Sequence, residues 1–196
     1  ATAAGIMCVK SIEVLARGSD LIVVASPIET TETVFRKIAP ALRPGQVVTD
    51  VGSVKAPVAE LARRILPSRA VFVGGHPMAG SERSGFGVSR ADLFLGSTWI
   101  LTFDDRTSGE AYLKIADLLL RLGMRIVPMT AEVHDDILSQ ISHLPHLIAY
   151  SLMAQAAVPD GRGSRQDLAA GSFRDLVRVS GALPSMHTTT KGRSGQ

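Results

Sequence analysis

Cysteine is almost absent from this 196-residue chain. Cys8 stands alone, so there is no disulfide framework and no cysteine-based zinc site. A lone thiol suits a reducing compartment, and a cytoplasmic location is expected. No charged-then-apolar leader opens the chain, and no apolar run approaches the ~20 residues that span a bilayer, so no membrane partner is expected. Aromatic residues make up 5% of the sequence, the formal net charge is +3, and no basic cluster is interleaved with aromatics. Nucleic acid is therefore not an expected partner. The mild positive bias would suit a dianionic small molecule.

One further absence bears on function. A dinucleotide-binding domain usually carries G-x-G-x-x-G between its first strand and helix, where backbone amides meet a pyrophosphate. Gly85-Phe86-Gly87 and Gly161-Arg162-Gly163 lack the third glycine and do not join a strand to a helix. The opening Ala1-Thr2-Ala3-Ala4-Gly5 reads as the tail of a helix, so the chain is expected to begin inside a domain.

What remains is an ordinary globular composition, 45% hydrophobic and 20% charged, enough for one core or for one domain plus part of another. Strand and helix signals alternate through residues 20–127. Apolar runs at 20–25, 46–51, 71–73, 97–103 and 124–127 are separated by helical patterns, among them one with Pro57 in its first turn and one capped near Thr107-Ser108-Gly109-Glu110. This alternation predicts an α/β fold with a partial Rossmann-like, doubly wound parallel sheet. After Thr130 the spacing of Val133, Ile137, Leu138, Ile141, Leu144, Ile148 and Leu152 is helical throughout, with a kink expected at Pro145. The expected organisation is a sheet domain over 1–129, a helical region over 130–187 and a disordered polar tail over 188–196.

Several groupings could carry chemistry. Gly74-Gly75-His76-Pro77-Met78-Ala79-Gly80-Ser81-Glu82 follows the apolar run 70–73. A short run ending in Gly-Gly reads as a buried strand that stops abruptly, and ligands in open α/β sheets bind beyond the carboxyl ends of strands. His76 and Glu82 are then expected at the reacting centre; the alternative is a tight turn with a surface histidine. Ser26-Pro27-Ile28-Glu29 forms a capping box with proline at the first helical position, and Ser26, Pro27 and Ile28 can equally wall a cofactor. Asp50-Val51-Gly52-Ser53 ends the next strand without the G-x-S-x-G of a hydrolase elbow. His143 and His146, with His134 upstream, invite a metal, but neither H-E-x-x-H nor a cysteine accompanies them, and no metal is expected. Gly171, Asp175 and Arg178 share helical spacing, and Asp175 with Arg178 can form a local ion pair.

The stretch 74–85 resembles the histidine loop of the prephenate and arogenate dehydrogenases, oxidoreductases of tyrosine biosynthesis. Residues 20–28, 50–55, Ser142-His143-Leu144-Pro145-His146 and 170–178 agree with that family in the same order. The resemblance implies oxidative decarboxylation of prephenate or arogenate with NAD or NADP, in a homodimeric parent enzyme. It implies His76 as the catalytic base and Ser53 as its hydrogen-bonded partner near the nicotinamide. Asp50 and Gly52 fall on the cofactor side, with Ser26, Pro27 and Ile28. Glu82, His146, Gly171 and Asp175 fall in the substrate pocket, and Arg178 becomes a carboxylate clamp. Leu183 and His187 stand where the family usually has aspartate and tryptophan. The family's glycine loop and later dimer-forming helices have no counterpart in these residues. A non-catalytic fragment of this family, or another β-hydroxyacid-type dehydrogenase, remains an open alternative.

Overall fold

Short runs rich in β-branched residues build a five-stranded sheet in the order β1-β2-β3-β4-β5. The strands are β1 (Leu21–Val24), β2 (Val47–Asp50), β3 (Val71–Met78), β4 (Thr98–Thr102) and β5 (Arg125–Met129). The structure, a computed structural model, describes residues 5–79, 89–158 and 169–182. It divides into two units between Asp136 and Ile137.

In the first unit, successive side chains along each strand point to opposite faces. Ile22, Val24, Val48 and Phe72 pack under α1 (Ile12–Gly18), α2 (Ile28–Ile38) and α3 (Ala56–Ile65). Leu21, Val47, Val71 and Val73 meet Ile115 and Leu119 of α4 (Gly109–Arg121) on the other face. Helices thus cover both faces of a Rossmann-like sheet, as the alternation predicts. Helix α1 does not stand out in the sequence: it is seven residues long, capped by Ser11, which accepts the Val14 N–H.

Two local expectations are corrected. Ser26 does not cap α2; Pro27 occupies the cap position and supplies no side-chain bond. The helix opens one residue later than the capping box implies. Ser26 Oγ is left buried with no hydrogen-bond partner. The second correction concerns β3, which does not stop at Gly74-Gly75 but runs on to Met78.

Strand β3 has two halves. Val71, Phe72 and Val73 pair in parallel with β2, whereas Gly74 through Met78 pair antiparallel with β4. The β1–β2 and β4–β5 pairs are parallel, so the sheet is mixed. A parallel return needs a crossover of a dozen or more residues, usually a helix. The glycine-rich sequence after β3 carries no helical periodicity, and β4 returns antiparallel.

The second unit is helical. The division falls within α5 (Ala131–Leu138), seven residues beyond the boundary read from the sequence. A π-helical segment, Ser139–His143, precedes α6 (Leu144–Ala156). Proline cannot donate a backbone hydrogen bond and crowds the preceding turn. The irregularity expected at Pro145 therefore lies in the turn before it, and Pro145 sits in the first turn of α6. Helix α7 (Gly171–Val177) leads into a 3-10 turn, Arg178–Ala182. No helix among the described residues is long and apolar enough to cross a membrane. The expected disordered tail, 188–196, lies outside the described residues.

Gly75 is closely hemmed in by β2 and β4. A Cβ there would lie 2.6 Å from the Asp50 carbonyl oxygen and 2.7 Å from Trp99 Nε1. Neither neighbour is the end of a flexible chain. Gly75→Ala is expected to cost about 1–3 kcal/mol, the usual penalty of overpacking, read as a lower midpoint in urea unfolding. An unchanged midpoint would show that β2 and β3 can separate at this point.

Candidate active site

Beyond Thr49 and Val73 the ladder between β2 and β3 ends, and side chains replace it. Asp50 Oδ1 accepts the Gly75 N–H at 3.1 Å, and Oδ2 accepts the Gly52 N–H at 2.9 Å. The Lys55 ammonium donates to Asp50 Oδ2 and, at 2.8 Å, to the Gly75 carbonyl. Both backbone groups of Gly75 are therefore held by an ion pair whose side chains are 5% and 1% exposed. Burial pulls the Lys55 pKa down, and the adjacent Asp50 charge pushes it back up. The lysine keeps two acceptors, which burial of a cation requires.

Lys55 also belongs to a second link. Its backbone N–H and that of Ala56, at the amino end of α3, donate to Asp135 Oδ1 and Oδ2, each at 2.8 Å. Asp135 thus caps α3 from α5, and a carboxylate is well placed at the positive end of a helix dipole. Burial raises the Asp135 pKa, but bonds from His134, Ala56 and Lys55 outweigh it and hold the carboxyl below its ordinary range.

The link continues to His76. His134, fully buried, lies with Nδ1 2.7 Å from Asp135 Oδ1 and Nε2 2.8 Å from His76 Nδ1. The two imidazoles meet edge to face, with centroids 5.1 Å apart. Burial lowers the His134 pKa, Asp135 opposes that shift, and the Lys55 charge adds to it. His76 itself is half-buried. It lies past the last residues of β2 and β3 that pair, opposite Ile100 of β4.

The expected site residues fall in different places. Asp50 is buried, and both its oxygens are committed to Lys55, Gly52 and Gly75. Gly52 serves the same turn, since a Cβ there would stand 3.0 Å from Asp50 Oδ2. Ser53 is exposed and forms no hydrogen bond to His76; that position is filled by His134. Pro27 and Ile28 are exposed at the start of α2, beside the unpartnered Ser26 Oγ. Glu82 lies outside the described residues.

In the second unit, His146 donates Nδ1–H to the Ser142 carbonyl at 2.7 Å, which spends one of its ring nitrogens within its own helix. Gly171, Asp175 and Arg178 are exposed. No ion pair joins Asp175 to Arg178 among the described residues; Arg178 starts the 3-10 turn that follows α7.

Sequence reasoning missed Lys55, His134 as a partner of His76, and Asp135. The only signal for Lys55 was a cation five residues after a strand that is buried along its whole length.

The fold and the caged histidine define a class, a Rossmann-like nucleotide-binding protein with a histidine beyond the strand ends. The chain belongs to the prephenate dehydrogenase family. Residues 2–128 match the family's nucleotide-binding domain and residues 130–191 its dimerization domain. It is 37% identical over 167 residues to prephenate dehydrogenase of Bacillus subtilis, covering 84% of this chain and 45% of the relative. It is 38% identical over 172 residues to cyclohexadienyl dehydrogenase of Zymomonas mobilis, covering 87% and 58%. Among solved structures, Aquifex aeolicus prephenate dehydrogenase in complex with hydroxyphenyl propionate and NAD+ superposes with a TM-score of 0.82 at 30% identity, covering 91% of this chain and 62% of that one. Synechocystis arogenate dehydrogenase gives 0.76 at 33%, covering 92% and 64%. The chain spans about half the length of the curated relatives it matches.

The buried histidine makes stability depend on pH. Folded His134 binds its proton less readily than an unfolded histidine, whose pKa is about 6.5. The folded state therefore keeps its full advantage above about pH 6.5 and loses it as pH falls from there through the lower folded value. Urea midpoints should drop between about pH 7.5 and about pH 5.5, and drop less in His134→Phe. An equal drop in the variant would show that His134 does not contribute.

Proposed function

We propose that the protein carrying this chain oxidatively decarboxylates prephenate or arogenate, with His76 as general base. The observation that carries this reading is the half-buried imidazole beyond the end of β2, held at Nδ1 by the buried His134, which is itself tied to the half-buried Asp135. A positioned base needs a fixed ring, and imidazole, whose pKa in a free histidine is about 6.5, is a side chain suited to proton transfer near neutral pH.

NAD or NADP fits the amino end of α2. Ser26 Oγ is a buried polar atom without a partner, and Ile28 presents an apolar surface beside it. Ser26, Pro27 and Ile28 would hold the nucleotide. The cofactor would supply, when bound, an acceptor for the hydride on C4 of the substrate ring. His76 accepts the proton of the C4 hydroxyl as the C–O bond becomes a carbonyl. The ring carboxylate leaves as carbon dioxide, its bonding electrons enter the ring, and the carbonyl oxygen gains a proton to give a phenol. Aromatisation makes the step irreversible. Arg178, exposed and in no ion pair among the described residues, would clamp a substrate carboxylate by a charge-assisted contact, and Glu82, His146, Gly171 and Asp175 would contribute to binding the same substrate. Ser53, exposed beside the buried network, would contact substrate or nicotinamide directly rather than orient His76.

The parent protein is read as a homodimer. The second unit matches a dimerization domain, and Ile141, Leu144 and Leu147 leave 65%, 51% and 62% of their surface exposed. This chain contains no G-x-G-x-x-G, so the activity is assigned to the protein that also supplies a phosphate-binding segment.

The test is reduction of nicotinamide by prephenate or arogenate in that protein. His76→Asn is expected to lower turnover by about 10²–10⁴-fold, the weight of a positioned base. In the same assay Arg178→Gln should raise the Michaelis constant by roughly one to two powers of ten, matching loss of a contact worth about 1.5–3 kcal/mol. Near-normal turnover in His76→Asn would remove the base, and an unchanged Michaelis constant in Arg178→Gln would remove the clamp.

A further inference from the structure

We infer that His134 and Asp135 set the tautomer of His76, placing its proton on Nδ1 and leaving Nε2 as the proton-accepting atom. The inference deepens the reading of His76 as general base and rests on it for its functional meaning. Its geometry stands apart from the reaction.

The assignment follows from counting donors and acceptors. Asp135 receives the N–H groups of Lys55 and Ala56 at the amino end of α3, and those bonds help hold it ionised. An ionised carboxylate can only accept, so the contact at 2.7 Å requires a proton on His134 Nδ1. His134 is fully buried, and burial disfavours its cation. A neutral imidazole carries one N–H, so with Nδ1 protonated its Nε2 offers a lone pair. That lone pair lies 2.8 Å from His76 Nδ1. Only a donor can sit there, since two lone pairs at that distance repel. His76 must therefore donate from Nδ1, which leaves Nε2 unprotonated in the neutral ring.

This arrangement reverses a free histidine's preference. In water the neutral imidazole favours the proton on Nε2, the tautomer that could not accept a substrate proton at that atom. The His134–Asp135 pair thus pre-organises the base. It also prepares for the product of proton transfer. When Nε2 takes the substrate hydroxyl proton, the new imidazolium keeps its Nδ1–H bond to His134. The Asp135 charge lies one ring further on. His134 and Asp135 are positioning residues, since neither touches the reacting atoms.

The experiment is nitrogen NMR of the full 196-residue chain labelled at histidine, recorded above the titration of the ring. Long-range proton–nitrogen correlations distinguish a protonated, pyrrole-type nitrogen from a pyridine-type one. For His76 the expected result is a pyrrole-type Nδ1 and a pyridine-type Nε2. The opposite pattern in the unmodified chain overturns the inference without recourse to any variant. His134→Phe, which keeps a ring but offers no acceptor, should shift His76 to the Nε2–H form. His134→Gln, whose side-chain oxygen can accept, should restore the Nδ1–H form. Retention of Nδ1–H in His134→Phe would mean that another group sets the tautomer. The inference and the function can fail separately. An Nδ1–H ring with full turnover in His76→Asn removes the function and leaves the tautomer assignment standing. An Nε2–H ring with lost turnover in His76→Asn removes the assignment alone.

Discussion

The buried pair of Asp50 and Lys55 is the interaction on which the rest of the site depends. Burying two charges is costly, and a pair survives only where further hydrogen bonds satisfy the remaining donors and acceptors. Here those bonds go to the backbone of Gly52 and Gly75. The pair continues a sheet whose ladder has ended. It lets β3 leave β2 at Val73 and turn its next five residues to β4 without orphaning the backbone of Gly75. His76 follows directly, so its position is fixed by charges one strand away. Gly75 is glycine because the close approach to Asp50 and Trp99 leaves no room for a Cβ.

A second consequence runs through the backbone of Lys55. The residue that clamps β3 by its side chain is capped by Asp135 through its main chain, and Asp135 holds His134. The histidine at the end of β3 is thus fixed twice, once through Gly75 and once through His134. Both supports converge on the start of α3. An ion pair of this kind gives little net stability compared with apolar packing; its contribution here is placement.

Much of the sheet was legible in the sequence because its signals are local. Pro57 in the first turn of α3, the Ser108 cap of α4 and the positive φ of Gly123 after it are each set by neighbouring residues. The length of β3 was not legible. Gly-Gly ordinarily breaks a strand, and only the side chains of Asp50 and Lys55 and the return of β4 override that tendency. The site divides the same way. His76 was visible from its glycine-rich surroundings. Its partner His134 lies 58 residues away, and Asp135 reaches α3 across 79 and 80 residues. No spacing rule links such positions. Ser53 was expected beside His76 from the family likeness, yet the nearer tie is the ring of His134. The capping box at Ser26 failed because the proline took the cap itself, which leaves the hydroxyl buried without a hydrogen-bond partner.

Native-state hydrogen exchange at the Gly75 amide tests the central claim most directly. That N–H points away from β4 and is held by the Asp50 carboxylate. If the clamp fixes the strand that carries His76, the Gly75 amide exchanges only through global unfolding, with protection matching that of the core amide of Val73. Exchange at the rate of exposed loop amides, with Val73 still protected, would contradict the account.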